Sequence, residues 1–344
     1  MKKVLILSLL ALTGLSFSGC QNGDWEFPDY EYSAVYFAYQ SPVRTICLGE
    51  DVYDTSLDNL HQCQILATIG GVYDNKNNVN IGFRVDNSIC DGLIFSDTET
   101  DVLPLPSSHY SLSSDNTLTI PSGKILGGVT VQLTDAFFAD PKALTNNYVI
   151  PLVMTSVSGA DTILSGTPLV DNPRLAVAAD WDVLPKNYIL YAVKYINKYD
   201  ANYLRRGKDV YSGAQSGTTV RHGQYVEKDE VIDDVTTRSL NTIAWAHELR
   251  DAGGTLIDCS LLITFDNDGN CTLTSESEGV AATGSGKFVP KGDKLSWGNT
   301  DRDVLYLDYT LEYDGVTRVT SDTLVVRDRG MKAEWFTVAE KQQL

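Results

Sequence analysis

Apolar and polar residues alternate along most of the chain from Tyr30 onward. In Val79–Val85 every second residue is apolar, the pattern of a strand with one buried face. Similar short runs are bounded by Gly, Pro, Asn and Asp; they are Ser33–Tyr39, Gln64–Ile69, Thr117–Ile120, Gly128–Leu133 and Tyr148–Met154. About seven such strands joined by turns predict a β-sandwich of immunoglobulin-like kind in the first half. The Cys–Trp–Cys pattern of antibody domains is absent.

The second half continues the alternation in a longer series of strands joined by short turns. Asn187–Ile196 opens it, and further strands are predicted at 217–228, 240–249, 255–266, 270–276, 279–289, 293–298, 302–314, 316–327 and 332–338. Asp266–Gly269 and Tyr313–Val316 carry strong hairpin-turn signals. Such a series favours a closed or nearly closed up-and-down barrel, because closure removes exposed strand edges. The chain as a whole is therefore predicted to be all-β.

The domain limits follow from the turn-rich stretch Ser158–Pro173, which we interpret as a last hairpin and a linker. We place the boundary near Trp181. The prediction is a β-sandwich domain over residues 31–175 and a β-barrel domain over residues 181–344.

The first twenty residues differ from everything that follows. Lys2 and Lys3 precede the apolar run Val4–Leu12, which has the length of a signal-peptide core and is too short to span a bilayer. The small residues that end at Cys20 resemble a bacterial lipobox, in which the cysteine is acylated and becomes the mature N-terminus. Residues 1–19 are thus predicted to be a lipoprotein signal peptide and residues 20–30 a tether. The alternative is an ordinary secretory signal that ends near a cysteine.

Charge narrows the range of partners. The chain carries a formal charge of −18, so it repels nucleic acid and anionic lipid, and no nucleic-acid partner is expected. Contact with the membrane is therefore predicted to run through lipid on Cys20. The tether is acidic, and this resembles the export signal that sends Bacteroidetes lipoproteins to the cell surface. We expect an outer-membrane location, facing the cell exterior.

Neither the cysteines nor the acidic turns indicate a cofactor. We expect buried free thiols at the five cysteines beyond the lipobox, namely Cys47, Cys63, Cys90, Cys259 and Cys271. There is no CxxC pair, and the four histidines are far apart, so neither a metal nor another cofactor is predicted. The turn Asp266–Gly269 lacks the glycine and glutamate positions of an EF-hand.

Aromatic and basic residues of the second half are the candidates for ligand binding. Alternation places Trp245 and His247 on one strand face, where they either line a pocket or belong to the core and rim. Trp297 lies beside a turn, where it could bind a sugar ring or close the end of the barrel. Arg205 and Arg206 belong to a basic cluster that meets an anionic ligand or pairs with neighbouring carboxylates.

Two sets of segments resemble a known family. Those of the first half are Leu118–Gly123 and Tyr148–Leu152, and those of the second are Asn187–Tyr188, Tyr195–Tyr199, Tyr203–Gly207 and Ser321–Gly330. The first set resembles an uncharacterised N-terminal β-sandwich domain of Bacteroidetes surface lipoproteins that also precedes glycosidase-like modules. The second is similar to its usual C-terminal companion. The resemblance implies a lipocalin-like second domain and a cell-envelope lipoprotein encoded with polysaccharide-uptake machinery, but no catalytic or ligand residues.

Three functions follow as hypotheses. The first is a non-catalytic lipoprotein that binds glycans at the cell surface within a polysaccharide-utilisation system, with outer-membrane uptake proteins as partners. The second is a glycoside hydrolase or accessory enzyme, although no carboxylate pair or Gly-x-Ser-x-Gly motif indicates one. The third is a structural or assembly partner in the outer membrane.

Overall fold

The structure is a computed structural model that describes residues 30–342. The signal peptide, Cys20 and nearly all of the predicted tether lie outside these residues. The described chain is nearly all β, as predicted. Its two short α-helices are α1 (Ser56–Asn59) and α2 (Asp135–Ala139). In the described part, no helix has the length and apolar character needed to cross a membrane.

The first half, from residue 30 onward, contains fourteen strands. They are β1 (Ala34–Tyr36), β2 (Pro42–Cys47), β3 (Gln62–Gly70), β4 (Val79–Val85), β5 (Leu93–Phe95), β6 (Leu103–Pro104), β7 (Tyr110–Leu112), β8 (Thr117–Ile120), β9 (Leu126–Leu133), β10 (Tyr148–Ser158), β11 (Thr162–Ile163), β12 (Thr167–Pro168), β13 (Trp181–Val183) and β14 (Tyr188–Ile196). Most of them form one mixed sheet in the order β11-β1-β3-β9-β8-β4-β10-β14-β2. Val35, Ile81 and Tyr195 come from strands far apart in this order, yet they belong to one buried cluster. The sheet therefore folds over this core, and the other face of β10 and β14 packs in a second buried cluster that includes Val149 and Leu190.

The second half contains the remaining strands. They are β15 (Asn202–Gly213), β16 (Gly217–Arg221), β17 (Glu230–Ile232), β18 (Val235–Ser239), β19 (Thr242–Ala246), β20 (Leu249–Arg250), β21 (Leu256–Ile257), β22 (Ser260–Phe265), β23 (Asn270–Ser275), β24 (Val280–Asp293), β25 (Arg302–Tyr313), β26 (Val316–Asp328), β27 (Glu334–Trp335) and β28 (Val338–Glu340).

The second sheet has the order β16-β15-β26-β25-β24-β23-β22-β19-β18, with β17 beside β15. Tyr203 on β15 and Val235 on β18 contribute to the same core, so the sheet curls round its apolar face. Among the described strands β16 and β18 do not pair, so the hydrogen-bonded ladder does not close into the expected barrel. The all-β class is established, whereas the immunoglobulin-like and lipocalin-like assignments stay predictions.

The chain enters the second sheet later than the predicted boundary near Trp181. Strand β14 still belongs to the first sheet, where it pairs with β10 and β2. After β26 the chain returns, because β27 pairs with β2 and β28 pairs with β5. The second domain is thus inserted between β14 and β27, and two chain segments connect it to the first.

A buried arginine fixes this double connection. Arg329 directly follows β26, and its guanidinium donates to four backbone carbonyl oxygens. The carbonyls of Asn197 and Asp200 accept at 2.6 Å each. Those of Leu48 and Glu50, in the first domain, accept at 3.1 and 3.3 Å. One side chain therefore ties both domains at the point where the chain passes between them.

Candidate functional site

A cavity of about 520 Å³ lies inside the second domain, between the hairpin β15–β16 and the segment from β19 to β20. This volume is in the range of sites for small ligands. The residues that line it are Arg205, Asp209, Tyr211, Gln215, Thr219, Arg221, Glu230, Val231, Ile232, Asp233, Asp234, Trp245, Ala246, His247, Glu248, Arg250, Tyr313 and Arg318. Strand β16 contributes to the lining and is also an unpaired edge of the sheet. The cavity therefore lies beside the opening that the unclosed ladder leaves.

Polar residues occupy inward positions of β26, where the alternation would allow apolar ones. Val316 and Leu324 are buried at either side of Arg318, Thr320 and Asp322, all on one strand face. Burying a charge is costly unless it is paired and hydrogen-bonded. These three residues therefore need partners from neighbouring strands.

Strand β15 supplies the partners through its register with β26. Asp209 lies opposite Thr320, and Gly207 lies opposite Asp322. A Cβ atom added to Gly207 would lie 2.1 Å from Oδ1 of Asp322. The glycine thus leaves the space in which Arg221, from the adjacent β16, reaches the carboxylate of Asp322.

Both carboxylate oxygens of Asp322 are used. Oδ2 accepts from Nε and Nη2 of Arg205 at 3.0 and 2.9 Å, and from the hydroxyl of Tyr309 at 2.8 Å. Oδ1 accepts from Nη2 of Arg221 at 2.8 Å. Charge-assisted bonds of this kind are the strong ones in proteins, so this carboxylate fixes two guanidinium groups.

Asp209 is the second buried anion of the network. Its oxygens accept from Arg221 and from the hydroxyl of Thr320 at 2.7 Å, and Nε of Arg318 lies 3.2 Å away. Burial by itself would raise the pKa of this carboxyl, but the bond from Arg221 and the charge of Arg318 hold it at about 2. Asp209 is therefore ionised under physiological conditions.

His247 is neutral and has a defined tautomer. Its Nε2 lies 2.8 Å from Nη2 of Arg318, and arginine can only donate, so Nε2 accepts and the proton is on Nδ1. Burial and the charges of Arg205 and Arg318 hold the pKa of His247 well below its usual range.

Trp245 forms the wall behind these groups. The indole is 1% exposed, with the guanidinium carbon of Arg205 5.0 Å from its centroid and the His247 ring 4.5 Å away. It therefore supports Arg205 and His247 from behind.

The structure brings three of the residues singled out in the sequence into one cavity, namely Arg205, Trp245 and His247. Arg206 points away and pairs with Asp229, with Nε 2.7 Å from Oδ2. Trp297 packs against a small cluster that includes Leu204, and the guanidinium carbon of Arg302 lies 4.5 Å from its ring. These two residues do not line the cavity.

Sequence reasoning missed five residues of the network: Asp209, Arg221, Glu230, Arg318 and Asp322. A signal for part of it is present in β26, where Arg, Thr and Asp alternate between two apolar inward positions. Charged residues on the buried face of a strand indicate an internal polar network, because each needs a partner. The partners themselves are fixed by strand register.

In the described residues no group of three or more His, Cys, Asp or Glu side chains is arranged to hold a metal ion. The five described cysteines are free and buried, which confirms the expectation of unpaired thiols.

Comparison with known proteins defines the class of this chain. A family model for a domain of unknown function (DUF5627) matches residues 198–330, which is the inserted second domain. A second model, described only as that of an N-terminal domain, matches residues 29–161. No curated protein matches the chain.

A crystal structure of a protein of unknown function from Bacteroides ovatus is 47% identical, with a TM-score of 0.85 over 91% of this chain and 100% of the other. The chain therefore belongs to the family of this relative, two-domain Bacteroidetes proteins of unknown function.

Two more distant Bacteroides ovatus structures also match. One, of unknown function, is 13% identical and covers 89% of this chain and 100% of its own, with a TM-score of 0.40. The other is described as a candidate carbohydrate-binding protein; it is 12% identical and covers 89% and 97%, with a TM-score of 0.27.

Proposed function

We propose that this protein binds carbohydrate without catalysis, and that the cavity of the second domain is the ligand site. The observation that carries the proposal is the fixed array of planar donors and acceptors along the cavity, centred on Arg205, Arg221 and Glu230. A sugar hydroxyl donates and accepts at once, so it is matched by a surface on which guanidinium and carboxylate groups alternate.

Preorganisation supports binding in this cavity. Asp322 holds Arg205 and Arg221, and Asp209 holds Arg221 and Arg318, before any ligand arrives. Less side-chain entropy is then lost on binding, which raises affinity at a given contact area.

Asp209 is unsuited to the acid step of glycoside hydrolysis, whereas burial raises the pKa of Asp234, which also lines the cavity. Hydrolysis needs one carboxylic acid that donates a proton to the leaving group. The pKa of Asp209 is held at about 2 by arginine contacts that outweigh its burial, so this residue does not serve as that acid. Its role is to position guanidinium groups.

We also propose that Cys20 carries lipid and that the protein is held at the outer membrane, facing the exterior, beside uptake proteins for polysaccharides. This part rests on the lipobox-like sequence and the acidic residues after it. Membrane fractionation tests it with a Cys20→Ala variant. We expect the native chain in the membrane fraction and the variant in the soluble fraction. Equal partition of the two would contradict lipidation.

The binding proposal is tested by isothermal titration calorimetry on the full chain carrying Cys20→Ala, which needs no detergent. Plant, fungal and host polysaccharides and their oligosaccharides form the panel. We expect saturable heat with at least one of them and no release of reducing sugar. Absence of heat with every member, from protein shown to be folded by circular dichroism, would contradict carbohydrate binding. Release of product would instead favour the hydrolase.

A further inference from the structure

One nitrogen of the cavity network has no hydrogen-bond partner. Nε of Arg221 is buried and unpaired, although both other nitrogens of the same guanidinium contact Asp209. Its nearest carboxylate oxygen is Oε2 of Glu230 at 3.6 Å, which is beyond hydrogen-bond range. Buried donors without a partner are rare in folded proteins and call for an explanation.

The oxygen that faces this donor also has spare capacity. Oε2 of Glu230 accepts one long bond, 3.3 Å from Nη1 of Arg205, and its side chain is 45% exposed. A carboxylate has about four lone-pair positions. Arg221 and Glu230 both line the cavity, and they therefore carry an unused donor and an unused acceptor 3.6 Å apart.

A hydroxyl group can bond to both the unused donor and the unused acceptor. Its oxygen accepts from Nε of Arg221, and its own proton is donated to Oε2 of Glu230. An ether oxygen accepts but cannot donate. A carboxylate or sulfate also only accepts, and it would place negative charge against Glu230.

The charge balance of the cavity points the same way. Three guanidinium groups are matched by three carboxylates in the inner ring formed by Arg205, Arg221, Arg318, Asp209, Asp322 and Glu230. Nearer the rim Asp233, Asp234 and Glu248 are accompanied by Arg250 alone. An anionic ligand would thus meet a neutral interior behind an acidic rim.

We propose that the site takes a neutral sugar residue, anchored by one free hydroxyl between Nε of Arg221 and Oε2 of Glu230, and that it discriminates against uronic acids and sulfated sugars. This inference rests on the proposed carbohydrate binding and adds the ligand class and the group that is recognised.

The first test compares charge classes. Saturation-transfer NMR and calorimetry are run with glucose, galactose, mannose, xylose and arabinose, and with glucuronate and galacturonate as the anionic counterparts of glucose and galactose. We expect a neutral sugar to bind and its uronate to bind at least about tenfold more weakly, because the carboxylate meets the negative charge of Glu230 and of the acidic rim.

The second test locates the anchor by a double-mutant cycle. Monodeoxy forms of the sugar that binds are titrated against the native protein and against Glu230→Ala. One deoxy position is expected to cost about tenfold or more with the native protein and to lose most of that penalty with the variant. The matched control is Glu276→Ala, because Glu276 is similarly exposed and pairs with Arg238 outside the cavity. The control should keep the full penalty.

The outcomes separate the two proposals. Uronates that bind as well as the neutral sugars, or a deoxy penalty unchanged in Glu230→Ala, would overturn the anchored hydroxyl and leave carbohydrate binding in place. Failure of every sugar and polysaccharide to bind folded protein would overturn both.

Discussion

Nη2 of Arg318 donates a hydrogen bond to Nε2 of His247 across 2.8 Å, inside the curled sheet of the second domain. The bond couples strand β26 to the segment after β19, and the two are far apart in the chain. It requires a neutral imidazole, because a protonated ring has no lone pair to accept with. The relationship makes the wall of the candidate site sensitive to proton concentration.

Stability should therefore fall in mildly acidic solution through His247. Its pKa in the folded state lies below the ordinary value of 6.5, so the unfolded chain binds the proton first. The stabilisation that comes from neutral His247 is complete above pH 6.5. As the pH falls below 6.5 the free energy of unfolding drops by roughly 1 kcal/mol over the first pH unit. Urea unfolding of the native protein and His247→Gln at pH 7.5, 6.5 and 5.5 measures this. The unfolding free energy of the variant should lack that part of the pH dependence. An equal pH dependence in the two proteins would contradict a neutral His247.

Asp209→Asn should be strongly destabilising, because it removes the carboxylate that pairs with both Arg221 and Arg318, and Arg221 keeps only its contact with Asp322 among the close buried pairs. Breaking a buried pair costs about 3–5 kcal/mol. The pKa of this carboxyl drops from 3.8 to about 2 on folding, so its stabilisation is present above pH 3.8 and is lost as the pH falls towards 2. Denaturant unfolding at pH 7, 4 and 3 should show the difference between native protein and variant shrinking only below pH 4. The control is Asp308→Asn, since Asp308 accepts from Ser321 at an exposed position.

Sequence patterns located many of the strands but not the site. Alternation placed Val79–Val85 and Thr117–Ile120 with the bounds that the structure gives. The turn Asp266–Gly269 is a hairpin as predicted, with Gly269 at φ 79° and the Asp266 carboxylate accepting from the Asn270 amide. These features depend on residues that are adjacent in the chain, so they can be predicted from the sequence.

Long-range features could not be predicted in the same way. Pro151 lies in β10, a strand between β14 and β4, at the point where the ladder with β4 ends. The sequence allows Arg205 either an anionic ligand or neighbouring carboxylates as partners, and in the structure it pairs with Asp322 and Glu230. Which carboxylates these are depends on the register of β15 against β26, and that register follows from the packing of the whole sheet.

Removing Arg329, the side chain that ties the two domains together, should destabilise the whole protein. Arg329→Met removes the guanidinium donor from four buried or partly buried carbonyl oxygens, those of Leu48, Glu50, Asn197 and Asp200, so we expect a loss of about 2–4 kcal/mol. The matched control is Arg327→Met, because Arg327 is partly exposed and pairs with the adjacent Asp328. Its loss should stay below about 1 kcal/mol. An equal loss of unfolding free energy in urea titrations of the two variants would contradict this role of Arg329.

The five described thiols should be inert in the folded protein. Burial raises the pKa of Cys47 and Cys259 to about 11, and that of Cys63, Cys90 and Cys271 to about 12. The reactive thiolate is therefore scarce and inaccessible. Intact-mass measurement of the Cys20→Ala chain after iodoacetamide treatment should show no adduct in native buffer and five in guanidinium chloride. Rapid labelling of a native thiol would show that the fold exposes it.

The location of the ligand site can be tested with two neighbouring threonines of β16. Thr219 lines the cavity, whereas Thr218 lies on the opposite face of the strand, across from the exposed Val210. An indole at Thr219 fills cavity volume without removing any member of the arginine–aspartate network, and an indole at Thr218 adds the same bulk outside. Calorimetric titration of Thr219→Trp and Thr218→Trp with the polysaccharide bound by the native protein is the most direct measurement. We predict that Thr219→Trp loses binding by at least about tenfold and that Thr218→Trp binds as the native protein does. Unchanged affinity in a folded Thr219→Trp variant would contradict the cavity as the site of binding.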